Sequence, residues 1–283
     1  MKTNVYTLLL CFVSLGSFAQ ENIYKIDENF KINLNGVLKL YSDDANVTIK
    51  GEDRIDAHVY VYRNHVVKGL SIGDKSFQVE IEEEDGNLYI TEREEGNVSM
   101  IGYSRLDYEI VIAVPKTVNL KLKGDDDDYD ISNVKGFVKI DADDSDVNLK
   151  NCTGSEFHFD MDDGDVTMDK GNGDLYAKLD DGDINIDNGN FESVEISTDD
   201  GDIDIATSLS SSGEYNFRVD DGNLTFRVLG GGGSFDIKHD DGNVSIGNEY
   251  NIIESSENYK SFRLKGGDAF VKIRCNDSRI SLR

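Results

Sequence analysis

The sequence predicts an all-β protein, a β-solenoid wound from coils of about 18–21 residues. Three observations carry this: a turn sequence that recurs at near-constant spacing, hydrophobic alternation on both sides of that turn, and one proline, Pro115, in 283 residues. The recurring turn is Asp-Asp-Gly or a close variant, as in "KLDDGDINI" at 178–186. Taking its third residue as the marker gives Ser145, Gly164, Gly182, Gly201, Gly222 and Gly242, at steps of 19, 18, 19, 21 and 20 residues. Self-similarity at a fixed period of this length is the signature of stacked repeats.

Each unit justifies two short strands. Before the marker lie alternating residues such as Phe157, Phe159, Met161 and Leu175, Ala177, Leu179; after it lie pairs such as Val166, Met168 and Ile184, Ile186. Alternation on both sides of a turn means two strands, each with one buried face. The same frame recurs in "VLKLYSDDANVTI" (Leu38, Leu40, Val47, Ile49), in "VEIEEEDGNLYI" (Val79, Ile81, Leu88, Ile90) and in "FRLKGGDAFVKI" (Phe262, Leu264, Ala269, Val271). Between the first two, "IDAHVYVYRNHVV" supplies an extra strand, and Pro115 closes "YEIVIAVP". This gives one domain over 20–283, with irregular coils at about 20–115 and regular repeats at about 116–275.

An antiparallel sandwich or meander built from hairpins is the alternative, because Asp-Gly is also a favoured hairpin turn. Stacked coils must match in length, whereas successive hairpins need not, so the period favours the solenoid. In the solenoid Cys152 and Cys275 lie six coils apart when Gly267 marks the last coil, about 29 Å at one strand spacing per coil. A disulfide needs Cα atoms within about 7 Å. Both cysteines are therefore expected free and packed as small hydrophobes.

Residues 1–19 read as an export signal: Lys2, an apolar run too short to span a bilayer, then Ser17-Phe18-Ala19 before Gln20. Cys11 sits inside that run without the small residue that lipidation would place before it. The formal net charge is −27. Removing Lys2 with the signal makes the exported chain one unit more negative. Such a chain repels nucleic acid and anionic lipid, and no later segment is long and apolar enough to be transmembrane. The expected destination is periplasm, outer surface or medium, since no recognisable anchoring tail follows Val271.

"NGVLKLYSDDANVTIKGEDRIDAHVYVYR" and "YEIVIAVPKTVNLKLKGDDDDYDISNVKGFVKI" together resemble the exported bacterial "putative adhesin" repeat domain, a domain of unknown function, over about 35–273. The resemblance implies a right-handed β-helical fold outside the cytoplasm and no catalytic residues. The chain departs from that pattern in carrying Asp-Asp before nearly every marker glycine, where small hydroxylated residues are commoner.

Stacking would turn those aspartates into rows, including Asp162, Asp180, Asp199, then Asp163, Asp181, Asp200, then Asp165, Asp183, Asp202. These nine are the candidate cation ligands, with Ca2+ the fitting ion because it takes six to eight oxygens. Against it, the calcium loop D-x-[DN]-x-[DN]-G with its distant Glu is absent. The competing reading is an Asx-type turn whose charge is screened by solvent. Catalysis by a β-helical carbohydrate-active enzyme would need one carboxylate pair set apart in a cleft, and every coil offers the same pair. His158 points outward and His239 inward, while His58 and His65 fall in the irregular part. No Ser-His-Asp spacing, phosphate loop or Cys/His cluster appears.

Outward strand positions carry Lys, Glu, Asp, Ser and His, a solvated sheet able to meet a surface glycan or protein. Tyr60, Tyr62, Tyr103, Tyr108 and Tyr129 crowd the N-terminal half, either as a ligand cluster or as cover for the first coils. The sequence thus points to an exported, non-enzymatic, adhesin-like binding or envelope structural protein. A calcium-stabilised surface protein and a carbohydrate-active enzyme are the alternatives.

Overall fold

The computed structural model describes residues 19–283. The expected export signal lies outside the described residues apart from Ala19. Among the described residues there is no helix, and nineteen strands form one mixed sheet.

The N-terminal strands are β1 (Ala19–Phe30), β2 (Val37–Tyr41), β3 (Asn46–Glu52), β4 (Ala57–Glu84) and β5 (Asn87–Pro115). The regular part is β6 (Asn119–Gly124), β7 (Asp128–Ser132), β8 (Val138–Asp144), β9 (Val147–Lys150), β10 (Glu156–Asp163), β11 (Val166–Met168) and β12 (Gly171–Asp181). It continues through β13 (Ile184–Asp200), β14 (Ile203–Ser208), β15 (Glu214–Gly230) and β16 (Gly233–Ile246). The C-terminal end is β17 (Asn251–Ser255), β18 (Tyr259–Leu264) and β19 (Ala269–Leu282).

Equivalent strands of successive units pair in parallel, as the period predicts. The strands before the marker form one ladder, in which Leu122, Ile140, Phe159, Ala177, Ile196 and Phe217 are consecutive partners. Those after it form a second, through Ile131, Leu149, Met168, Ile186, Ile205 and Phe226. Every one of these side chains is buried in a single continuous core. Full burial of one such side chain contributes about 1.5–3 kcal/mol, so each coil is held chiefly by its inward residues.

The marker glycine is a packing requirement. Gly182 has φ +141, and a Cβ there would collide with the carbonyl oxygen of Gly164, the same residue one coil earlier. Gly201 meets Gly182 in the same way, so the turns stack backbone against backbone.

Three expectations are corrected. First, "VEIEEEDGNLYI" is not a coil. Ile81 and Ile90 are antiparallel partners across a turn at Asp85 (φ 49) and Gly86 (φ 79), so Asp-Gly makes a true hairpin here. The β4–β5 hairpin wraps the N-terminal end, and β1 pairs antiparallel with β4 outside it. Parts of β5 lie on each ladder below β2 and β3, so the stack begins with residues later in the chain.

Second, "FRLKGGDAFVKI" straddles two elements. Phe262 and Leu264 belong to β18, antiparallel to β16, whereas β19 is a whole coil with Ser278 at its marker. Third, chain order is not stacking order at this end. β19 is inserted between β15 and β16, pairing in parallel with both. Cys275 therefore sits between Val219 and His239. Its coil is five spacings from that of Ser145, about 24 Å rather than 29 Å. Both cysteines are free and buried, and burial pushes their thiols up, to about 11 for Cys152 and about 12 for Cys275.

The tyrosines do not form one cluster. Tyr108 and Tyr129 are buried, Tyr60 and Tyr62 are half-buried, and only Tyr103 is exposed. His239 is buried and His158 faces out, as expected.

Candidate functional site

The surface divides into a turn edge and two outer faces, and the aspartate rows occupy the edge. Register brings Asp163, Asp181 and Asp200 side by side, and likewise Asp165, Asp183 and Asp202. The last row has a defined task. Asp146 Oδ1 accepts the Asp165 N–H at 3.0 Å, and Asp165 Oδ1 accepts that of Asp183 at 2.8 Å. Asp183 Oδ1 accepts from Asp202 at 2.7 Å, and Asp202 Oδ1 from Asn223 at 2.8 Å. Each carboxylate thus caps a backbone donor that the turn leaves outside the ladder.

The first two rows remain exposed to solvent, with Asp180 paired to Lys178 at 3.3 Å. Among the described residues no three or more of His, Cys, Asp and Glu converge into a group that could hold a metal ion. The nine candidate ligands are dispersed along the edge rather than gathered round one point.

Two carboxylates are set apart, and sequence reasoning missed both. Asp127 stands at the marker position of its coil and is fully buried. It accepts from Ser42 Oγ at 2.8 Å, Ala45 N–H at 2.7 Å and Tyr129 OH at 2.9 Å. Burial raises its pKa, and the three donors oppose the rise. Glu92 lies on β5, where its Oε2 accepts the Asp43 N–H at 3.1 Å. Burial pushes it up to about 7, against partial relief from Tyr108 and the Asp43 N–H. It lines a hollow of about 340 Å³ with Tyr41, Asp43, Arg93, Glu94 and Glu95. The expectation that every carboxylate pair is alike fails here because the irregular N-terminal coils bury these two.

The two outer faces differ in kind. Over the second ladder the outward column runs Thr48, Asp130, Asn148, Thr167, Asn185, Asp204, a row of short polar groups. Over the first ladder it runs Tyr89, Lys39, Lys121, Lys139, His158, Tyr176. Tyr41 and Lys123 stand beside it as partners in the next outward column.

This second column has a distinct internal order. Lys39 lies over the Tyr89 ring at 4.9 Å, and Lys121 and Lys139 flank the Phe137 ring at 5.7 and 5.9 Å. His158 and Tyr176 stack at 4.5 Å with planes 17° apart. Lys139 pairs with Glu156 at 2.7 Å, but Lys39 and Lys121 have no carboxylate partner among the described residues. Direct neighbours of like charge at one strand spacing repel by about 0.9 kcal/mol even in water. The chain has 56 acidic residues against 29 basic ones, yet among the described residues none pairs with Lys39 or Lys121. With Lys139, Tyr41, Tyr89, His158 and the Lys123–Asp141 ion pair, these two lysines line a groove of about 430 Å³, and Tyr176 stands just beyond its His158 end.

Fold and surface define a class: all-β chains whose repeated strand–turn–strand units stack in parallel and present sheet faces to solvent. The chain belongs to the Toastrack DUF4097 family, whose model matches residues 36–282. No curated protein matches it. Among solved structures it is similar to a "putative adhesin" from Bacteroides fragilis, with 14% identity, 92% of this chain and 97% of that chain covered, and a TM-score of 0.49. A "putative adhesin" from Parabacteroides distasonis has 13% identity, the same coverages and a TM-score of 0.46. A "putative cell adhesion protein" from Clostridium sporogenes has 14% identity, 94% and 99% covered, and a TM-score of 0.25.

Proposed function

We propose that the chain is an exported, non-enzymatic, adhesin-like binding protein of the cell envelope or surface. Its parallel stack is a single right-handed β-solenoid domain that holds the outward face of the first ladder as a rigid binding surface. The observation that carries this reading is the lysine column framed by aromatic rings in a strongly acidic chain, with Lys39 and Lys121 unpaired among the described residues and Lys139 paired with Glu156. Half-buried aromatic rings and exposed cationic groups on a flat scaffold supply contact area with little ordering cost, because the sheet already fixes their spacing. The set-apart carboxylates speak for structure rather than catalysis: Asp127 is engaged by three donors, and Glu92 caps a backbone N–H.

Cell fractionation followed by retention of the purified chain on intact envelope material tests the proposal. Recovery outside the cytoplasm is expected, with retention that drops several-fold in Tyr89→Ala/Tyr176→Ala. Cytoplasmic recovery, or retention that the double substitution leaves unchanged, would sink it.

A further inference from the structure

We propose that the groove between Tyr89 and Tyr176 takes a sparsely charged acidic polysaccharide, lying along the stacking direction with its carboxylates on the lysine column. The inference rests on the binding reading above and gives that same face its ligand class. Three observations select the class.

The first is charge complementarity. Lys39, Lys121 and Lys139 are consecutive partners in register, so the groove floor carries a cationic row; Glu156 pairs with Lys139, and Asp141 in the lining pairs with Lys123. Lys39 and Lys121 keep their charge uncompensated within the protein. A bound anion relieves their mutual repulsion, which gives the groove a preference for anions over neutral ligands.

The second is the placing of the rings. Tyr89 lies at one end of the lysine row and the His158–Tyr176 stack at the other. Aromatic faces at both ends of a cationic row suit a ligand that alternates apolar ring faces with charge. A pyranose ring is about as long as one strand spacing, so successive sugars can follow successive coils. The lysine stems supply the apolar floor between the charges.

The third is the field of the rest of the molecule. A formal charge of −27 repels a densely charged polyanion at long range, which disfavours nucleic acid and heavily sulfated chains. A chain with one carboxylate per sugar or fewer meets the local lysines without the full long-range penalty. Lysine also acts as a point charge without the planar fork that selects phosphate bidentately.

The test titrates the chain from Gln20 with three probes: hyaluronan oligosaccharide, dextran of matching length, and a single-stranded oligonucleotide. Hyaluronan is expected to bind, dextran not measurably, and the oligonucleotide more weakly than hyaluronan. Lys39→Gln/Lys121→Gln should weaken hyaluronan at least tenfold and flatten the loss of affinity between about 50 and about 200 mM salt. Tyr89→Ala/Tyr176→Ala should weaken it without changing the salt slope. An unchanged melting curve for each variant keeps folding out of the comparison.

The inference is overturned if the lysine variant binds hyaluronan as the parent does, if the oligonucleotide binds more tightly, or if no probe binds. Dextran bound by the parent, lost in the tyrosine variant and kept in the lysine variant would overturn the acidic class while leaving the binding face standing. Retention on envelope material decides the binding reading separately.

Discussion

The aspartate edge and the lysine face are both columns of like charge at one strand spacing, and the molecule treats them differently. Along the edge, Asp146, Asp165, Asp183 and Asp202 each accept a backbone N–H from the next coil. Their repulsion is offset inside the fold by charge-assisted hydrogen bonds that close the turn. On the face, Lys39 and Lys121 have no carboxylate partner among the described residues and close no turn; their ammonium groups stand over aromatic rings. The edge is thus a structural use of charge, and the face is charge held available. Abundance misleads in this comparison: the commonest residue in the turns does the routine work, while the proposed binding role falls to the scarcer cation.

The strongest way to break the edge is at Asp127, its buried member. Asp127→Ala leaves Ser42 Oγ, the Ala45 N–H and Tyr129 OH without their acceptor in a site that water does not reach. Each stranded donor costs about 1–3 kcal/mol, partly offset by removing a buried carboxylate, so a loss of about 3–5 kcal/mol is expected. Asp127→Asn, which keeps one oxygen, should lose about half of that. Urea unfolding with an unchanged m-value measures both. A loss below about 1 kcal/mol for the alanine variant would show that the site collapses or admits water.

Glu92 comes next, and its sign is opposite to that of an ordinary surface carboxylate. Its folded pKa, about 7, lies above the unfolded value of 4.5, so the folded state holds its proton more tightly. That contribution is fully present below about pH 4.5 and is lost as pH rises through about 7. Glu92→Gln keeps an acceptor for the Asp43 N–H and removes the titration. It should be more stable than the parent by about 2–3 kcal/mol at pH 8 and indistinguishable near pH 4. Melting temperatures of the two across that range check it, and parallel curves would refute the assignment.

The comparison also shows how much was legible in the sequence. The regular coils were: alternation such as Leu175, Ala177, Leu179 before Gly182 and Ile184, Ile186 after it placed the inward residues correctly. The insertion of β19 was not, because every coil presents the same hydrophobic pattern and nothing local says which neighbour it pairs with. A partial signal existed, since Asn276-Asp277-Ser278 repeats Asp143-Asp144-Ser145 and could have displaced Gly267 as the last marker. The lysine column was hidden by a separate reordering at the N-terminal end. In chain order Tyr89 falls between Lys39 and Lys121, whereas in the stack the β4–β5 hairpin puts Tyr89 outside and brings the two lysines together. The hydrogen bonds of Asp165 and Asp183 link coils 18 and 19 residues apart, so counting revealed the rows but not their purpose.

Within the exposed edge the rows should separate. Asp183→Ala strands the Asp202 N–H at a site water can reach and should cost about 0.5–1 kcal/mol. Asp181→Ala breaks no hydrogen bond in the capping row and relieves repulsion from Asp163 and Asp200, so it should be neutral or stabilising by a few tenths. Added salt should shrink the Asp181 effect and leave most of the Asp183 effect, because screening acts on exposed charge more than on a hydrogen bond. Denaturation midpoints at low and high salt separate the two, and equal responses would reduce the edge to general repulsion.

The smallest effect belongs to the lysines, and its smallness is what the comparison requires. If Lys39 and Lys121 were structural, replacing both would remove contacts that hold neighbouring coils. Each ammonium lies over one ring, at 4.9 and 5.7 Å, while the inward residues Leu38, Leu40, Leu120 and Leu122 carry the core of those strands. Glutamine keeps most of the apolar stem and removes the mutual repulsion. Lys39→Gln/Lys121→Gln should therefore change stability by less than about 0.5 kcal/mol, in the stabilising direction at low salt. A destabilisation above about 1 kcal/mol would make the column part of the scaffold, like the edge. A neutral result with altered ligand affinity would leave recognition as the reason these cations stand side by side in an acidic chain.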